Sequence, residues 1–180
     1  MTSTRRSELL PLARFLRLVS RLNLFTAVVG DQYAVLVVEI DVRTFSQGSH
    51  DEFAGSCMEI LTGRVQDALP RDAIVTRLHY DAFGIIAFGA KHEAQALALA
   101  RTLHDSVRAP IALPRGELIL TAGIGVAFTG HHVTALEAMQ EAEGAVTRVR
   151  LNGGDATYVA SREVQYAATA GLASGNGAGA

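Results

Sequence analysis

One cysteine in 180 residues, Cys57, leaves nothing to close an internal disulfide and no thiol cluster to hold a metal. A reducing compartment, with the cytoplasm as the default, is the expectation. No internal repeat is present, which excludes a solenoid or array. Charged residues make up only 19% and hydrophobic residues 49%, so the body carries too much apolar material to stay disordered. The N-terminal arm is interrupted by arginine too often for a signal-peptide core or a spanning helix, which needs about 20 mostly apolar residues. What is present suits one domain with appendages, since domains commonly run to about 100 to 200 residues. The charge is uneven. Arg5, Arg6, Arg14, Arg17 and Arg21 against Glu8 give the first 22 residues a net of +4, which leaves −6 on the remainder of a chain whose formal charge is −2.

Residues 7–22 read as an amphipathic helix with Ser7 as N-cap and Pro11 in the first turn. Leu12, Phe15, Leu16, Val19 and Leu22 form its apolar stripe, and Arg14, Arg17 and Arg21 share another face. The helix either docks on its own domain or contacts a partner. Residues 24–29 read as its last turns or as a short strand, with the helix favoured, ending in a turn at Gly30-Asp31. Residues 33–40 are a near-continuous apolar run, the pattern of a central strand covered on both faces. A polar loop, 45–50, precedes a helix over 52–69 capped by Asp51, with Phe53, Cys57, Ile60, Leu61 and Val65 on one side and Pro70 as its stop. A helix over 92–107 turns Ala96, Leu97, Ala100, Leu103 and Val107 inward and ends before Pro110. Residues 111–113 and 117–127 straddle Pro114-Arg115-Gly116 as a hairpin. Thr134-Ala135-Leu136-Glu137 is a capping box opening a helix to Val149, with Leu136, Met139, Ala142, Val146 and Val149 on one side. A turn at Asn152-Gly153-Gly154-Asp155, a short strand over 156–160 and a Gly/Ala/Ser tail over 171–180 complete the chain. His131-His132 reads as a polar loop. The division is 1–30, a basic helix; 31–162, the domain; 163–180, the tail.

The organising stretch is 74–88, two β-rich runs meeting at His79, Tyr80 and Asp81, which is the local signal for a hairpin. Asp81 is the acid at its tip, and Glu39 stands at the end of the other strong strand. Two acids on neighbouring strand ends can hold a hard divalent cation. They can equally be a solvated turn acid and a strand-end acid.

At these residues the chain resembles the GGDEF domains, a bacterial family that includes the diguanylate cyclases. There an Asp-x-Asp strand end precedes a helix and a hairpin turn reads Gly-Gly-Asp/Glu-Glu-Phe; here the two elements are Glu39-Ile40-Asp41 and His79-Tyr80-Asp81-Ala82-Phe83. Leu120-Thr121-Ala122-Gly123-Ile124-Gly125-Val126-Ala127 resembles the family's Thr-x-Ser-x-Gly-x-Ala strand. The stretch 141–153 resembles its Arg-Ala-Asp-x-Ala-x-Tyr-x-Ala-Lys-x-x-Gly, with Arg150 in the place of the phosphate-facing Lys. The resemblance covers 33–160. It implies an α+β fold, a mainly antiparallel sheet of about five strands with helices on one face, similar to nucleotide-cyclase and polymerase palms.

A diguanylate cyclase joins two GTP molecules by attack of a ribose 3′-hydroxyl on an α-phosphate, which requires a metal held by carboxylates and a backbone the nucleotide can approach. Here His79 and Tyr80 replace the two glycines, Ala82 replaces the second acid, and Val42-Arg43-Thr44-Phe45 replaces x-Phe-Lys. Residues 4–12 replace the N-terminal Asp-x-Leu-Thr-Gly-Leu-x-Asn-Arg signature. The inhibitory Arg-x-x-Asp site falls on Pro70 and Ala73, or after a one-residue slip on Leu69 and Asp72, so cyclic di-GMP is not expected there. The resemblance therefore implies a degenerate, non-catalytic regulatory domain in cyclic di-GMP signalling. It would contact another signalling protein or a second copy of itself through Arg14, Arg17 and Arg21, with no nucleic-acid partner. No cofactor is expected, and magnesium on Glu39 and Asp81 only if nucleotide binding survives. The alternatives are a GTP sensor or residual cyclase using Glu39, Asp81 and Arg150, and a structural dimerisation module.

Overall fold

In a computed structural model the described residues are 9–29, 32–42, 51–113, 116–130 and 132–160, without the side chains of 24–29 and 51–54. Ser7, the Gly30-Asp31 turn, the 45–50 loop, the Phe53 side chain, Pro114, Arg115, His131 and the tail lie outside them. The elements in chain order are β1 (Leu9–Leu10), α1 (Leu12–Val29), β2 (Ala34–Ile40), α2 (Asp51–Ala68), β3 (Ala73–Arg77), β4 (Ala82–Ala87), α3 (Glu93–Arg108), β5 (Ile111–Leu113), β6 (Gly116–Leu118), β7 (Ala122–Phe128), α4 (Ala135–Leu151) and β8 (Thr157–Val159). A six-stranded sheet runs β1-β3-β4-β2-β7-β8, and β5 and β6 form a separate two-stranded ribbon. No helix among the described residues is long and apolar enough to cross a membrane.

The apolar run of β2 makes it the middle of the sheet, paired antiparallel with β4 and with β7. Its residues alternate between two cores. Ala34, Leu36, Val38 and Ile40 face Met58, Leu61 and Val65 of α2 and Ala100, Leu103 and Val107 of α3. Val35 and Val37 face Phe15 and Val19 of α1 and Ala138, Ala142 and Val146 of α4. Helices therefore cover both faces, not one. A strand that is apolar at every position demands this, because each pleat direction must find apolar cover. Cys57 lies in the first core, where burial pushes its thiol pKa up.

The sheet is mainly antiparallel, as expected, and mixed at its edges, which are parallel pairs, with six strands where about five were expected. β1 pairs with β3, and β8 with β7. β1 falls inside what the periodicity gives as the first helix. The residue before a proline is pushed toward extended backbone, so Leu10 is a strand residue. Pro11 then heads α1, its carbonyl accepting the N–H groups of Arg14 at 2.8 Å and Phe15 at 3.0 Å. Of the expected α1 stripe, Phe15 and Val19 are buried, while Leu12 and Leu16 are exposed. Ile60 on α2 and Leu136 on α4 are likewise exposed, not core. The expected long arm 117–127 is divided between β6 and β7, which belong to different sheets: the carbonyl of Thr121 takes the N–H of Asp41 at 2.9 Å instead of extending the ribbon.

The α4 capping box forms as the sequence predicts. Thr134 Oγ1 accepts from the Glu137 N–H at 3.2 Å, and Glu137 Oε2 accepts from the Thr134 N–H at 2.8 Å. α4 then crosses β7 so closely that a Cβ on Gly125 would stand 2.0 Å from the Ala142 carbonyl oxygen and 2.7 Å from the Val146 nitrogen. Gly125→Ala is accordingly expected to cost at least about 3 kcal/mol, the upper part of the range for overpacking. Gly144→Ala, on the open side of the same helix, is expected to stabilise by about 0.5–1 kcal/mol. Thermal or urea unfolding of both variants checks the pair; a tolerated Gly125→Ala contradicts the packing described.

Candidate functional site

The register of β2 brings its end to the hairpin tip. Glu39 lies opposite Ala82 on one side and Gly123 on the other. The Asp81 carbonyl accepts the Ile40 N–H at 2.8 Å, which ties the bend to the strand end. Two acids distant in sequence thus meet at the edge of one cleft of about 150 Å³, whose lining includes Glu39, Asp41, Asp81, Gly123, Arg150 and Gly154. Arg150 leaves the last turn of α4 and crosses this cleft, with Nη1 3.1 Å from Glu39 Oε1. Glu39 is about three-quarters buried and Arg150 more than half exposed. All three residues singled out for metal or phosphate therefore share one site, and two of them are partnered with each other.

The bend itself is built without glycine. Among the described residues positive φ is confined to Gly116, Gly153 and Gly154, so His79 and Tyr80 use backbone conformations open to any residue. The Ala82 carbonyl accepts the N–H groups of Leu78 at 2.9 Å and His79 at 3.3 Å. Arg77 clamps the tip: its Nη2 and Nε donate to the Tyr80 carbonyl at 2.6 and 3.1 Å, and its guanidinium lies over the Tyr80 ring at 5.4 Å and the Phe83 ring at 5.9 Å. The His79 and Tyr80 side chains are exposed and do not line the cleft. Ala82 and Phe83 are buried.

A divalent ion would have to share Glu39 with the Arg150 guanidinium, and among the described residues no group of three or more His, Cys, Asp and Glu is placed to hold an ion. Mg²⁺ sites that use one or two carboxylates complete their shell with water and substrate phosphates, and a guanidinium already on one of those carboxylates opposes the ion by like-charge repulsion. His132 is exposed. Arg14, Arg17 and Arg21 project from the exposed side of α1, where Arg17 Nε donates to the Ala13 carbonyl at 3.2 Å. Pro70 is exposed and Ala73 is buried at the start of β3.

Sequence reasoning missed a second polar group behind the cleft. The turn that contributes Gly154 continues into Asp155, whose Oδ2 accepts from Arg108 Nη2 at 2.6 Å and whose Oδ1 lies 3.8 Å from His104 Nδ1. The buried His104 ring reaches Thr157 Oγ1 of β8 through Nε2 at 3.1 Å, and among the described residues Nδ1 has no well-formed hydrogen bond. The readable signal is spacing: His104 is four residues after the buried Ala100, on the inward side of α3.

A mixed sheet between two pairs of helices, with acids at the ends of its central strands, is the palm-like α+β architecture of the GGDEF cyclase domains. The family model described as "Diguanylate cyclase, GGDEF domain" matches residues 18–156, and the chain belongs to that family. No curated protein sequence matches it. Among solved structures it is similar to the GGDEF domain of YfiN, also called TpbB, from Pseudomonas aeruginosa, with a TM-score of 0.75 and 24% identity over 86% of this chain and 98% of that one. It is similar to the diguanylate cyclase SiaD from the same organism, in complex with its activator SiaC, at a TM-score of 0.76 and 16% identity over 84% and 59%. The GGDEF domain of DgcB from Caulobacter crescentus, in complex with c-di-GMP, gives 0.75 and 13% over 86% and 92%. At these identities the likeness bears on the fold alone.

Burial lowers the pKa of His104 below its ordinary value; nearby Arg108 adds to this, while Asp155 and Asp105 oppose it. The unfolded chain therefore takes up a proton first as pH falls. The His104 contribution to stability is intact above the ordinary histidine value of about 6.5 and is lost as pH drops from there through the lowered folded value. His104→Gln is expected to flatten the decline in thermal midpoint between about pH 7 and pH 5. An unchanged decline in the variant contradicts this assignment.

Proposed function

We propose that this GGDEF domain is a non-catalytic regulatory domain that works by protein contact within cyclic di-GMP signalling. One observation carries the reading: where the family motif has its second acid, the chain has Ala82, buried within β4 and directly opposite Glu39. The site has lost a carboxylate at the position where phosphoryl transfer depends on charge neutralisation, and Arg150 holds the acid that faces it. The exposed tip of Tyr80 and His79 and the exposed Arg14, Arg17 and Arg21 offer surfaces for a protein partner. SiaD, a related cyclase, is in complex with an activator protein, which supports contact as a mode of action for such domains. The convergence of Glu39, Asp81 and Arg150 in one cleft favours a second reading, a GTP-binding sensor.

Incubating the purified chain with GTP and Mg²⁺ or Mn²⁺, then resolving the products by chromatography, is expected to return GTP unchanged; catalytic formation of cyclic di-GMP overturns the proposal. Reversing Arg14, Arg17 and Arg21 to Glu is expected to leave stability within about 0.5 kcal/mol per site, as for exposed positions. The same variant should lose association with a second copy or a native partner in light scattering and pull-down. Undiminished association removes α1 from the contact.

A further inference from the structure

A guanidinium held on a carboxylate opposes a divalent cation at the same group, because it neutralises the acid and repels the ion. Glu39 Oε1 accepts from Arg150 Nη1 at 3.1 Å. Both residues come from elements whose positions are fixed elsewhere. Glu39 is paired through its backbone with strands on both sides, and α4 is seated on β7 with Ala142 and Val146 against Gly125 and Val146 and Val149 against Gly123. The pair is therefore an alignment imposed by the fold, although the arginine head remains largely exposed. Asp81 lines the same cleft. Among the described residues that line the cleft, Arg150 is the one base beside Glu39 and Asp81, and without its charge the two acids would draw hard divalent cations.

We propose that Arg150 is the resident cation of this cleft, its guanidinium occupying Glu39 and so excluding a divalent metal that Glu39 and Asp81 would otherwise share. The inference rests on the non-catalytic reading and supplies a physical cause for it: the site is closed to metal by its own side chain. Arginine suits this role because its guanidinium stays charged and its planar fork matches a carboxylate.

The test measures Mn²⁺ alone against the intact chain, following loss of the free-ion signal by electron paramagnetic resonance. The wild-type chain and Arg150→Lys, which keeps the charge, are expected to leave the free-ion signal in place. Arg150→Ala and Arg150→Gln are expected to bind Mn²⁺ at least about tenfold more tightly, the effect of removing one nearby positive charge. Adding Glu39→Gln to Arg150→Ala is expected to abolish the gain. The Gln variant serves where Ala unfolds the chain, with circular dichroism confirming the fold. Wild-type binding as tight as the variants', or variants that bind no better than wild type, overturns the inference. Tight binding by a wild-type chain that leaves GTP unchanged would end this inference alone. Turnover of GTP would end the non-catalytic reading, and the Mn²⁺ comparison would still stand on its own.

Discussion

The antiparallel pairing of β2 with β4 on one side and β7 on the other sets where every other part of the structure can lie. Its register puts Glu39 opposite Ala82 and Gly123. Side chains alternate along a strand, so Glu39 falls on the face that carries Val35 and Val37, the face covered by α1 and α4. A slip of one residue would send Glu39 toward α2 and α3 and away from Arg150. The continuous apolar run resists such a slip, because each of its residues already has a packed core on its own side.

α4 is the second constraint. Its capping box fixes where it begins, and its close approach over Gly125 fixes its height above β7. Together these bring Arg150 over Glu39, 111 residues away in sequence. The ion pair does little for stability: pairs with one exposed partner are worth about 0–1 kcal/mol, far less than the burial of either core. Its consequence is occupancy. A weak pair held in register by strong packing is enough to decide which cation a carboxylate meets, and that is a statement about binding, not folding.

Much of this was legible along the chain. The Thr134 cap, the inward residues of α3, the central position of β2 and the pairing around Asp81 all follow from local chemistry, and Glu39, Asp81 and Arg150 could each be singled out before their convergence was known. What was not legible depends on distant partners. Leu9 and Leu10 form a strand because β3 offers an edge, which no helical periodicity reports. The division of 117–127 depends on Asp41 reaching the Thr121 carbonyl. The covering of both sheet faces was implied by the β2 run, yet the expectation of helices on one face set that implication aside. Asp155 reads as a turn acid, and its contact with Arg108 and His104 appears only when α3 is laid beside β8.

The most direct measurement of the central claim is a crystal structure of the chain grown with GTP and magnesium. The account predicts the Arg150 guanidinium still on the Glu39 carboxylate, with no ion between Glu39 and Asp81. An ion bridging those two acids, with Arg150 swung away onto a phosphate, would contradict it.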